Sequence, residues 1–122
     1  MEALIMDSKD GFVQAKTEFG SFYGIWMSDL PTNTSYLVEL SCNAVSNMER
    51  ISLSYHTRPA IYDDGAYTVI NGFVEDIEDS VMFLRLQDSI VMIEICCDID
   101  VQAYTGQWVT IRVDGVEIYH YL

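Results

Sequence analysis

The feature that most constrains this chain is a period of two. From Val91 the odd positions read Val91, Ile93, Ile95, Cys97, Ile99 and Val101, while the even positions read Met92, Glu94, Cys96, Asp98 and Asp100. Successive side chains of a strand point to opposite faces, so this segment is a long strand with one apolar and one acidic face. Such length calls for a bend or bulge where the strand wraps a barrel.

The same alternation recurs upstream. Tyr36, Val38, Leu40 and Cys42 alternate with Ser35, Leu37, Glu39 and Ser41, and Ile51, Leu53 and Tyr55 alternate with Ser52, Ser54 and His56. "FVQAK" and "SFYGIWM" form a hairpin pattern around Phe19-Gly20, and "AYTVINGFVEDI" carries Gly72 in mid-run, where a bulge or sharp bend is expected. "VMFLRL" adds a strand after Glu78-Asp79-Ser80. At the C-terminus, "WVTIRVDGVEIYHY" places Asp114-Gly115 between two alternating arms, the signature of a two-residue type I′ hairpin. That register sets Val113 against Val116, Ile111 against Ile118 and Val109 against His120, with Arg112 facing Glu117 and Trp108 facing Tyr121. Helical pattern is confined to a turn within "CNAVSNMER".

These elements predict an all-β, mainly antiparallel domain of eight or nine strands that closes into a small barrel. An OB-like barrel with an extra N-terminal hairpin fits the strand order best, and a two-sheet β-sandwich is the alternative. The 122 residues, half of them hydrophobic, suffice for one packed core, so 1–122 is read as a single domain.

Charge narrows the function classes. Nineteen acids against six bases give a net charge of −13. The bases, Lys9, Lys16, Arg50, Arg58, Arg85 and Arg112, are scattered and form no stripe that could displace counterions from a phosphate backbone. Nucleic acid and anionic membrane are therefore excluded as partners, and a basic protein or a cation fits the field. The opening "MEALIMDSKD" has neither a basic n-region nor a long apolar core, and an odd number of cysteines, three, makes no disulfide framework. The compartment read from these features is the cytoplasm.

The motifs carry little chemistry. Cys96 and Cys97 are adjacent, so a strand turns them to opposite faces and they cannot converge on zinc. Acidic neighbours Glu94 and Asp98 oppose the low thiol pKa that a redox pair requires. Cys97 is read as a small core hydrophobe. Glu94, Asp98 and Asp100 would be spread along the strand, too far apart for a cation unless it bends. No nucleophile elbow, Cys–His signature or phosphate-cradling glycine loop is present. No catalytic residue, metal ligand or cofactor is assigned.

Two function classes remain. The first is a small acidic interaction module for a basic protein partner, in one concrete form an immunity-type inhibitor. Its candidate surface comprises the acidic turns "YDDG" and "EDIED", with Tyr62, Asp63, Asp64, Glu75, Asp76, Glu78 and Asp79 as partner-binding residues. Tyr67, Tyr119 and Tyr121 would add contact area, and the acids would steer association. The second is a small-ligand-binding barrel or enzyme with a pocket near His56 and Arg58. The sequence also permits a homo-oligomer. A filled barrel with a flat acidic–aromatic patch would favour the first class, and convergent polar groups in a concave apolar pocket the second.

Overall fold

A computed structural model describes residues 1–45, 47–96 and 100–121. Among them are eleven strands and two short 3-10 turns, Met48–Arg50 and Gln102–Tyr104. The strands are β1 (Glu2–Asp7), β2 (Val13–Thr17), β3 (Gly20–Trp26), β4 (Thr34–Val45), β5 (Ile51–Leu53), β6 (Ala60–Asp63), β7 (Thr68–Glu78), β8 (Val81–Leu86), β9 (Ser89–Ile95), β10 (Trp108–Val113) and β11 (Val116–His120).

Five strands close a barrel, with the others outside the ring. The ring runs β1-β2-β3-β11-β4 and returns to β1. The long strand β4 belongs to both parts of the molecule. Its first residues, Thr34 to Leu37, pair with β1. Further along, Leu40 to Val45 pair with β9 while β11 holds the opposite edge over Val38 to Cys42. From β9 a second sheet continues as β8-β7-β10-β5, and β6 pairs with β7. Pairing is antiparallel except at β3–β11 and β4–β9.

The alternation expected for β4 and β9 is borne out. Val38, Leu40 and Cys42 are buried and Ser35, Leu37 and Glu39 exposed; Val91, Ile93 and Ile95 are buried and Glu94 exposed. One hydrophobic cluster joins ring residues such as Ile5, Phe22 and Ile118 to second-sheet residues such as Met82, Leu84 and Ile111. The accessible surface, 6971 Å², is close to the roughly 6,700 Å² expected of a compact chain of this mass.

Four local expectations are corrected. The Asp114-Gly115 hairpin does not form: β10 pairs with β7 and β5, and β11 pairs with β3 and β4. Arg112 therefore lies opposite Val69 rather than Glu117, and its guanidinium reaches Asp64 at 3.7 Å. Gly115 does not adopt a positive φ; the two-residue turn with positive φ at both central positions is Asp79-Ser80, joining β7 to β8. The row Ile51, Leu53, Tyr55 is buried only at Ile51: Leu53, the last residue of the three-residue β5, is 58% exposed and Tyr55 beyond it is wholly exposed. The irregularity in β7 falls at Glu75, between Val74 and Asp76, and not at Gly72. A Cβ at Gly72 would lie 2.7 Å from the Leu84 side chain, so that glycine serves close packing. In the segment Val91 to Val101, β9 ends at Ile95, and Cys97, Asp98 and Ile99 lie outside the described residues.

Candidate interaction surface

Strands β3, β11, β4 and β9 are consecutive neighbours. None of the four contains Lys or Arg, and their charged residues are Glu39, Glu94 and Glu117. Their alternation buries one row and turns the other outward. Register then assembles the outer face: Glu117 lies beside Ile25 on one side and Ser41 on the other, Tyr119 beside Glu39, and Ser41 beside Met92. Ile90, Tyr121, Glu39 and Asp88 line one shallow depression there. Ile25, Leu37, Ile90, Tyr119 and Tyr121 are between 37% and 55% exposed, so the face alternates apolar or aromatic groups with carboxylates. Partial desolvation, and then the Glu117 carboxylate, hold the Tyr119 hydroxyl above its ordinary value. Two bases flank this face on the adjoining strands: Arg85 on β8 is engaged, its Nε 2.8 Å from Glu75 Oε2 and its guanidinium over the Phe73 ring at 4.9 Å, and Lys16 on β2 is exposed opposite Ser21 of β3.

At the end of this face lies a cleft of about 150 Å³, lined by Phe12, Tyr23, Asp63, Tyr67 and Asp114 with the backbone of Gly24, Gly65 and Gly115. Close strand approach shapes its floor. A Cβ at Gly24 would sit 2.8 Å from the Val116 carbonyl oxygen, so only glycine lets β3 lie this near β11. Arg50 packs against two of the lining residues, its guanidinium 4.1 Å from the Tyr67 ring centroid and its Nη1 3.4 Å from Asp114 Oδ2.

The structure divides the residues that sequence grouped together. Tyr62 and Asp63 are successive on β6 and face different clefts, Asp63 towards Phe12 and Tyr23, Tyr62 towards His56 and Arg58. Asp64 fixes its own turn, where its Oδ1 accepts from the backbone N–H of Ala66 at 2.9 Å and of Tyr67 at 2.7 Å. These bonds, Tyr67 first, together with Arg112, hold its carboxyl below the ordinary value. Glu75, Asp76 and Glu78 are strand residues of β7 and only Asp79 is in the turn. Since β6 meets the start of β7, the two acidic groups stand about 30 Å apart along that strand and do not form one patch.

His56 and Arg58 do come together, both exposed, on a cleft of about 210 Å³ that also includes Tyr62, Val69, Asn71 and Thr110. Sequence reasoning missed Asn71, which is 7% exposed and holds this loop in place. Its Nδ2 donates to the carbonyls of His56 at 3.1 Å and Arg58 at 2.8 Å, and its Oδ1 accepts from Thr110 Oγ1 at 2.7 Å. A polar residue within the apolar run Val69 to Val74 was the available signal. His120 is half-buried, its ring edge-on to Tyr36 with centroids 5.5 Å apart.

Among the described residues no three His, Cys, Asp or Glu side chains are grouped to hold a metal ion, and no helix is long and apolar enough to cross a membrane. Cys42 is buried and Cys96 half-buried. No protein-family model matches the chain, and neither the curated proteins nor the solved structures contain a match.

Proposed function

We propose that this protein is an interaction module that binds a basic protein partner through the outer face of β3, β11, β4 and β9. The observation that carries the reading is that four adjacent strands contain acids and no Lys or Arg while presenting Ile25, Leu37, Ile90 and Tyr119 to solvent, with Tyr121 just beyond the end of β11. A surface that served solubility alone would need the carboxylates but not the exposed apolar and aromatic groups interleaved with them. Aromatic anchors supply contact area and the surrounding acids steer a cationic partner, which is how charged interfaces divide the work. Stoichiometric inhibition of a basic enzyme or toxin in the cytoplasm is the concrete form we favour. Self-association through this face would set carboxylate against carboxylate, so the partner is a different chain.

The cleft beside His56 and Arg58 supports a small-ligand function less well. Its volume, about 210 Å³, falls below the roughly 300 Å³ at which small-molecule sites begin. The buried polar group within it, Asn71, already has its hydrogen bonds made inside the protein.

The reading is tested by affinity capture from native extract on immobilised wild type and on Glu39→Lys/Glu117→Lys, followed by elution with increasing salt. A basic protein retained at low salt, released by salt and lost on the double variant supports the reading. Equal retention on both surfaces, or retention only of acidic or neutral proteins, overturns it.

A further inference from the structure

We infer that the cleft between β3, the β6–β7 turn and the β10–β11 crossing receives an arginine side chain of the partner. The inference rests on the reading above and adds the chemistry of one contact. Three observations carry it. First, the cleft, about 150 Å³, is too small for a cofactor-sized ligand and suited to a single side chain. Second, its walls combine aromatic rings with carboxylates: Phe12 and Tyr23, 46% and 44% exposed, line it together with Asp63. Aromatic faces attract cations, and a planar guanidinium can stack on a ring while its edge donates to a carboxylate. Third, the protein already uses this chemistry beside the cleft. Its own Arg50 lies over Tyr67 at 4.1 Å and beside Asp114 at 3.4 Å, so two lining residues hold a guanidinium.

The remaining half of the cleft has no such occupant. Asp63 accepts a hydrogen bond from the Gly65 backbone N–H through Oδ1 and makes no ion pair among the described residues. Of the other nearby bases, Arg112 is held by Asp64 at 3.7 Å and Lys9 is in the exposed turn between β1 and β2 that ends at Phe12. Ammonium lacks the planar, multiply donating edge, so arginine fits this combination of ring and carboxylate better than lysine. The cleft is continuous with the interaction face, because β3 carries both Tyr23 in the cleft and Ile25 beside Glu117.

An NMR titration of the intact protein with the capped tripeptide acetyl-Gly-Arg-Gly-amide, with the lysine and the neutral citrulline tripeptides alongside, tests the inference. The expected result is shifts concentrated at the amides of Tyr23, Gly65 and Gly115. Binding should be at least about fivefold tighter for arginine than for citrulline, and weakened about two- to fivefold by Tyr23→Ala and by Asp63→Asn. Shifts of equal size with citrulline, or shifts that leave these three amides unmoved, overturn the inference. So does a captured basic partner that binds Asp63→Asn and Tyr23→Ala as tightly as wild type, a result that would leave the broader interaction reading standing. Failure to capture any basic partner would remove that reading while the titration still decides the chemistry of the cleft.

Discussion

Replacing Asn71 by alanine removes the clamp that ties the 56–58 loop to the second sheet. The side chain makes three hydrogen bonds, to the His56 and Arg58 carbonyls and from the Thr110 hydroxyl. A buried intramolecular hydrogen bond contributes about 1 kcal/mol net. Arg58 and His56 are exposed and Thr110 is half-buried, so water can reach the freed groups and they do not incur the larger penalty of buried orphans. The expected loss is therefore about 2–3 kcal/mol, which for a chain of this length lowers the melting temperature by roughly 10 °C. Urea unfolding followed by tryptophan fluorescence would show a lower midpoint with an unchanged slope, since the surface exposed on unfolding is nearly the same. Asn71→Asp should be worse at neutral pH, because it sets a carboxylate against two carbonyl oxygens in place of an N–H donor. An Asn71→Ala protein within about 0.5 kcal/mol of wild type would refute this reasoning, since surface substitutions commonly fall in that range.

Gly24→Ala should be clearly more destabilising than Gly115→Ala. The first meets the Val116 carbonyl oxygen at 2.8 Å, fixed in the backbone, and the second meets only the movable end of the exposed Asn43 side chain; equal midpoints in urea would contradict the packing at β3–β11. Burial pushes the Cys42 thiol up to about 12, so iodoacetamide at pH 8 should leave Cys42 unmodified until the protein unfolds and should reach half-buried Cys96 first; native labelling of Cys42 at the rate of a free thiol would contradict its place in the core. Asp64 ionises below its ordinary 3.8 in the folded protein, so its contribution is complete above that pH and is lost as pH falls through the lower folded value. The stability difference between wild type and Asp64→Asn should stay constant from pH 7 to about 5 and close below 3.8; a difference that grew on acidification would reverse the predicted sign.

Which faces are buried was legible in the sequence, and which strands are neighbours was not. Alternation is a local property, and it placed Val38, Leu40 and Cys42, and Val91, Ile93 and Ile95, on the inner side correctly. Pairing is decided by competition for edges. Asp114-Gly115 has the composition of a hairpin turn, but β7 and β5 occupy both edges of β10, while β4 and β3 take those of β11. Continuation of a pattern also misleads where a side chain captures the backbone. Ser54 Oγ accepts from the His56 N–H and donates to its carbonyl, which turns the chain and leaves Tyr55 in solvent. The candidate surface suffered most from this limit. Its acids and aromatics lie on strands distant in sequence, Glu39 on β4 and Tyr119 on β11, and only their pairing brings them together. Tyr119 and Tyr121 near the C-terminus and Leu37, an apolar residue in the outward row of β4, were the sequence signals that this face does more than hold water.

Recognition of a basic protein by the β3–β11–β4–β9 face can be probed by site-specific photo-cross-linking in native extract. A photoreactive phenylalanine replaces Tyr119, on the face, or Tyr55, beyond the far end of the second sheet. The expected outcome is one dominant cross-linked product from position 119, to a basic protein, suppressed by high salt and by Glu39→Lys, with none from position 55. Cross-linking from position 55 in preference to 119, or salt-insensitive products from 119, would show that this face is not the recognition surface.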